Sequence, residues 1–124
     1  MAVKHLDHYT INVSDLEASV AFYAEIVGLT DGPRPPFSFP GAWLYCGEAP
    51  VVHLIGGRPP AHGTGPIDHV AFRADGLAEQ IALLRRRGIR FREQDVAKAS
   101  LRQVFFEDPD GVTIELNFIL ESGE

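Results

Sequence analysis

The chain has 124 residues, 45% of them hydrophobic and 23% charged, with a formal net charge of −6. That is enough chain for one globular domain with a core of its own, and the acidic balance argues against nucleic acid and anionic membranes as partners. No apolar run approaches membrane length, no basic-then-apolar leader opens the chain, and the one cysteine, Cys46, cannot form an internal disulfide. A cytoplasmic protein with a small-molecule partner is expected.

In chain order, the first strand is expected at about residues 5–13. Tyr9, Ile11 and Val13 lie on one face of it; His8, Thr10 and Asn12 lie on the other. A helix follows. Ser14 and Glu17 have capping-box spacing, Leu16, Val20, Tyr23 and Val27 recur at helical intervals, and Gly28 is the stop. GPRPPFSFPG, residues 32–41, stands where another strand is due and specifies it poorly. Strands are expected at about 41–46 and 50–55; in the latter Val52 and Leu54 oppose Val51, His53 and Ile55. Cys46 reads as a buried small apolar residue. A Gly/Pro-rich linker covers about 57–66 and holds His62, expected in solvent; His5 is likewise expected at the surface.

The next strand is expected at about 67–73, with Val70 and Phe72 opposing His69, Ala71 and Arg73. Asp75 is the candidate cap of a helix whose stripe is Leu77, Ile81 and Leu84, and Gly88 ends it. The cations of RRRG, residues 85–88, suit the negative end of that helix. Strands at about 89–93, 102–107 and 112–119 complete the chain. DPDG, residues 108–111, is a turn in which Pro109 presets φ and Gly111 accepts a positive one. In VTIELNF the apolar residues Val112, Ile114, Leu116 and Phe118 alternate with Thr113, Glu115 and Asn117.

Laid on itself, the chain repeats. LDHYTINVSDLEASVAFYAEIVGL matches IDHVAFRADGLAEQIALLRRRGI, with Asp7-His8 on Asp68-His69, Leu16 on Leu77, and Gly28 on Gly88 after a one-residue slip. AWLYCGEAPVVHLI falls on VFFEDPDGVTIELN, which places His53 on Glu115. One βαβββ module is thus written twice, over about 1–56 and about 67–120, within a single α+β domain of residues 1–124.

The faces turned away from the helices carry His8, His53, His69 and Glu115, two repeat-related pairs. If the modules pair their sheets, the four converge. Three imidazoles and a carboxylate suit a divalent first-row metal, and a buried carboxylate needs a cation or other partner. Phe37, Phe39, Trp43 and Tyr45 either wall a substrate pocket or fill core. Arg73 either clamps an anionic substrate group or makes a surface salt bridge.

With DHYTINVSDLEASVAFYAEIVGL, DHVAF and FFEDPDGVTIEL in view, the chain resembles the vicinal oxygen chelate superfamily over nearly its whole length. That group includes glyoxalase I, methylmalonyl-CoA epimerase, fosfomycin- and bleomycin-resistance proteins and extradiol dioxygenases. The resemblance implies paired βαβββ modules forming an open sheet cup around a divalent ion (nickel, zinc, cobalt, manganese or iron), often in a homodimer. It implies His8, His69 and Glu115 as metal ligands, with His53 at a fourth position where glyoxalase I carries Glu or Gln. Asn12, Arg73, Phe37, Trp43 and Tyr45 are the corresponding candidates for a substrate pocket. A metal-dependent lyase or isomerase of glyoxalase type is the first functional expectation, with Glu115 moving a proton. An Fe(II) extradiol-type dioxygenase and a non-catalytic drug- or metabolite-binding protein are the alternatives.

Overall fold

The structure, a computed structural model, describes residues 2–59 and 61–120. Met1 of the first module and Pro60 of the linker lie outside the described residues. The chain divides between Ala61 and His62 into two compact units.

The first unit runs β1 (Tyr9–Asn12), α1 (Leu16–Phe22), a π-helical turn (Tyr23–Val27), β2 (Thr30–Gly32), β3 (Gly41–Cys46) and β4 (Ala49–Ile55). Its sheet order is β1-β4-β3-β2, with β1 parallel to β4 and the other pairs antiparallel. The second unit repeats this as β5 (Val70–Ala74), α2 (Leu77–Arg86), β6 (Arg92–Val96), β7 (Leu101–Glu107) and β8 (Thr113–Ile119), in sheet order β5-β8-β7-β6. A short 3₁₀ turn, Ala97–Ala99, joins β6 to β7. The fold is therefore α+β, a βαβββ module occurring twice. Among the described residues no helix is long and apolar enough to cross a membrane.

Period-two patterning places the cores. Ile11, Leu44, Val52 and Leu54 are buried in the first unit; Val104, Phe106, Ile114, Leu116 and Phe118 are buried in the second. Tyr23 and Ile26 in the first unit and Leu84 in the second complete them from the helical segments. Burying a side chain of this size removes about 1.5–3 kcal/mol of unfavourable hydration. These contacts hold one face of each sheet, and the opposite face is left for other chemistry.

Several local details differ from the sequence reading. The first helix is capped by Asp15, whose side chain accepts from the Ala18 N–H at 3.0 Å, rather than by Ser14. Both are good caps, and the extended backbone of Asp15 (φ −140°) decides between them. At α2 the cap position is Gly76 at φ 81°, without a side-chain bond, rather than Asp75. The strand expected inside the proline-rich stretch lies just ahead of it, because Pro33, Pro35 and Pro36 have no N–H to give a ladder. β6 begins at Arg92 rather than near Ile89, whose N–H is still engaged with the Leu84 carbonyl in closing the helix. Strands β1 and β5 begin one residue after His8 and His69. Cys46 is exposed, not buried, since it ends β3 at the turn into β4.

The DPDG turn forms as expected, organised by Asp108. Its Oδ1 accepts from the N–H groups of Asp110 (2.9 Å) and Val112 (2.8 Å), and Gly111 sits at φ 81°. The exposed His62 ring lies directly over Gly111, where a side chain would collide with it.

Candidate functional site

The candidate donors fall into two pairs, one in each unit, built in the same way. In register, Thr10 faces His53 across β1 and β4, and Ala71 faces Glu115 across β5 and β8. His8 and His69 stand two residues before Thr10 and Ala71, so each reaches its partner diagonally. Asp7 and Asp68, the preceding residues, accept from the two Nδ1 atoms, at 2.6 Å from His8 and 2.8 Å from His69. A carboxylate on Nδ1 fixes the tautomer and turns the Nε2 lone pair outward, the arrangement found behind metal-ligating histidines. The bond from His8 also lowers the pKa of Asp7.

In the second unit the pair meets ring nitrogen to carboxylate oxygen. His69 Nε2 lies 3.1 Å from Glu115 Oε1, and Glu115 is buried at 7% exposure. Its other oxygen, Oε2, accepts from the Asn117 amide at 2.7 Å and the Gln103 amide at 3.2 Å, and Gln103 also donates to Asn117 Oδ1. The amides fix the carboxylate and leave Oε1 as its working oxygen. With Nδ1 of His69 donating to Asp68, two electron-pair donors face each other across 3.1 Å and need a positive centre, a proton or a metal ion. Two ligands bonded to one divalent ion at about 2.0–2.2 Å have a comparable separation. The N,O donor set therefore fits such an ion.

In the first unit the pair meets as stacked rings. The His8 and His53 centroids are 3.7 Å apart at 12°, and Trp43 covers the other face of His53 at 4.1 Å and 11°. His53 Nε2 donates to the Pro50 carbonyl at 3.0 Å. Burial, and then the nearby charge of His8, lowers the pKa of His53. Stacked imidazoles direct their ring-nitrogen lone pairs in separate, nearly parallel planes, so His8 and His53 would not hold one ion together while they stack. Asp7 prepares His8 for the role. Among the described residues, no three His, Cys, Asp or Glu side chains group closely enough to hold a metal ion together.

The other sequence candidates divide. Phe37 and Trp43 line a recess on the His53 face of the first sheet, and Arg34 and Phe39 join them there. Tyr45 turns away, donating its hydroxyl to the Pro33 carbonyl at 2.5 Å. Asn12 is exposed, opposite Ile55. Arg73 is exposed on the edge strand β5, opposite Asn117. Gln103 and Asn117 were not singled out by sequence. Their signal was polar residues alternating with the core positions of β7 and β8, in register across from one another.

Comparison with known proteins agrees with this fold. The sequence profile of the Glyoxalase/Bleomycin resistance protein/Dioxygenase superfamily matches residues 5–116. The chain is 29% identical over 119 residues to lactoylglutathione lyase of Salmonella typhimurium, covering 88% of each. Among solved structures, a glyoxalase/dioxygenase from Nostoc punctiforme superposes with a TM-score of 0.81 at 22% identity, covering 97% of this chain and 94% of that one. The antibiotic-binding protein TnmS3 of a Streptomyces species superposes with a TM-score of 0.71 at 26% identity, covering 96% and 98%.

Proposed function

Because the chain belongs to the Glyoxalase/Bleomycin resistance protein/Dioxygenase superfamily, we propose that it is a divalent-metal-dependent lyase or isomerase of glyoxalase type. Its substrate is a small molecule with vicinal oxygens, met in the cytoplasm. The observation that carries this reading is the facing of His69 Nε2 and Glu115 Oε1 at 3.1 Å, each backed by a second group that fixes it. The metal-binding residues of the proposal are His8, His69 and Glu115. His53 is a fourth donor only if it leaves its stack on His8.

A bound divalent ion supplies electrophilic polarisation of a substrate oxygen. The chain's own residues supply the rest. Asp7 and Asp68 hold the two imidazoles in the donor tautomer. Gln103 and Asn117 fix the Glu115 carboxylate through Oε2. Oε1 would then act as base while His8 and His69 hold the ion, taking a proton from one substrate carbon and returning it to the neighbouring one. Burial of Glu115 keeps competing water from that oxygen.

The direct test is elemental analysis of protein purified without chelator. Near-stoichiometric nickel, cobalt or zinc, lost in the His69→Ala variant, supports the proposal. Iron moves the assignment to a dioxygenase, and no metal leaves a non-catalytic binder. The proposal includes a homodimer. Leu6 and Ile67, repeat-equivalent residues just ahead of the two edge strands β1 and β5, are 80% and 62% exposed and invite cover. Sedimentation should give a species of twice 13.6 kDa; a single 13.6 kDa species at micromolar concentration removes that part.

A further inference from the structure

We propose that the recess of the first unit binds a planar aromatic ring carrying an acidic group, held by Arg34. The recess has a volume of about 140 Å³ and is walled by Phe37, Phe39, Trp43 and His53, with Arg34 beside them. A benzene ring occupies a cavity of about 150 Å³, so one ring fills it. The walls are aromatic rings: Phe37 and Phe39 stack at 5.0 Å and 16°, and Trp43 lies 6.3 Å from Phe37, tilted by 49°. Flat walls favour a flat guest through offset stacking.

Arg34 supplies the charge preference. Its guanidinium carbon lies 5.1 Å from the centre of Phe37 and 5.3 Å from that of Phe39, and its Nη2 donates to the Phe39 carbonyl at 3.1 Å. Its Nε–H is buried without a hydrogen-bond partner, and Arg34 makes no ion pair among the described residues. Glu17 and Asp31, which share a second cleft with Arg34, form none with it either. The guanidinium charge beside the recess is thus left without a carboxylate partner, and a carboxylate or phenolate oxygen of a guest would supply one. At Gly41 a side chain would meet the Leu54 carbonyl first, at 2.5 Å, and then Nη2 at 3.1 Å, so the glycine that the strand pairing demands also leaves room for the guanidinium.

The inference names a substrate class for the proposed active site and rests on that reading, but binding in the recess needs no metal and can be measured without one. Trp43 is the only tryptophan of the chain, so its emission reports the recess directly. Chelator-treated full-length protein is titrated with benzoate, with its neutral isostere benzamide, and with cyclohexanecarboxylate, an anion that is not planar. Benzoate should give a saturable change in emission. It should bind about ten- to a hundredfold more tightly than benzamide, the scale of one charge-assisted hydrogen bond, and more tightly than cyclohexanecarboxylate.

Arg34→Gln should bring benzoate down to the affinity of benzamide, and Phe37→Ala should weaken both aromatic ligands. Phe37 is 44% exposed, so that second variant should fold even if Arg34→Gln does not. Benzoate and benzamide binding equally, or neither giving a saturable change, overturns the proposal. Metal content measured on each protein before its chelator treatment separates the two readings. Lost benzoate preference with metal retained defeats only the recess; absent metal with benzoate preference intact defeats only the proposed catalysis.

Discussion

The two units share a topology, a register and even the acidic residue before each leading histidine, yet their inner faces have become different instruments. In the first, His8, His53 and Trp43 form a continuous stack of flat rings. In the second, His69 faces Glu115 inside an amide network from Gln103 and Asn117. The backbone positions are equivalent: Trp43 faces His53 as Phe105 faces Glu115. The central residue of each row differs, and so do its neighbours: Gly41 and Ile55 pair in the first unit where Gln103 and Asn117 pair in the second. A carboxylate recruits amides and a cation; an imidazole recruits aromatic faces. The repeat thus fixes where donors stand, and their chemical type fixes what surrounds them.

The largest expected effect tests whether the two central residues are unequal in catalysis. Glu115→Gln keeps the shape but removes the proton acceptor, and at saturating metal kcat should fall about 10²- to 10⁴-fold, or roughly 3–5 kcal/mol of barrier. His53→Gln should cost much less. Equal losses in the two variants, or full activity of metal-saturated Glu115→Gln on any substrate that works, would break the comparison.

Beneath the inner faces the units should behave alike. Leu54 and Leu116, the residues that follow His53 and Glu115, are both almost wholly buried. Truncation of either to alanine should cost about 2–5 kcal/mol in denaturant unfolding. A loss well under that range at one position would show that its core is not packed as its counterpart's is.

The backing carboxylates come next in size. Asp68→Asn should lower metal affinity about 10- to 100-fold by releasing His69, measured by competition with a chromophoric chelator. Asp7→Asn should do the same through His8. If only one of them matters, the metal belongs to that unit alone.

The smallest effect concerns the ring stack. The fold lowers the His53 pKa from 6.5, through burial and then the charge of His8. The unfolded chain therefore takes up this proton first as pH falls. The contribution to stability is full above 6.5 and is lost below it, down to the folded pKa. In an NMR titration His53 should show a midpoint below 6.5, and His8→Gln should move it upward by removing the second cause. A midpoint at or above 6.5 would mean the rings do not stack in solution.

Much of this was legible before any coordinates. The two modules, the glycine stops, the DPDG turn and the sorting of each strand into two faces all follow from period and turn chemistry, which act over a few residues. The placement of His8, His53, His69 and Glu115 on inner faces was legible for the same reason. Their contacts were not. Whether His53 stacks or ligates depends on ring orientation across two strands, and Pro50 and Trp43 settle that orientation through a hydrogen bond and a ring face. Arg34 was hidden inside a proline-rich stretch with no periodicity to read, although the aromatic residues around it were visible. The caps were misread by one residue because Ser14 and Asp15, and likewise Asp75 and Gly76, compete side by side, and only the backbone angle chooses.

The π-helical turn at Tyr23–Val27 absorbs a difference in length between the two modules. From Asp7 to Gly28 the first module is one residue longer than the second is from Asp68 to Gly88, and α2 has no such turn. A wider turn accommodates one additional residue without displacing either end of a helix. The first module therefore stores its surplus there, between a strand and a glycine stop that could not absorb it without breaking register. Removing one exposed residue of the turn, such as Ala24, should return the segment to ordinary α-helix and the two copies to equal length. The one-residue difference between the modules is thus held within a helix, and the strands that carry the donors keep equivalent positions.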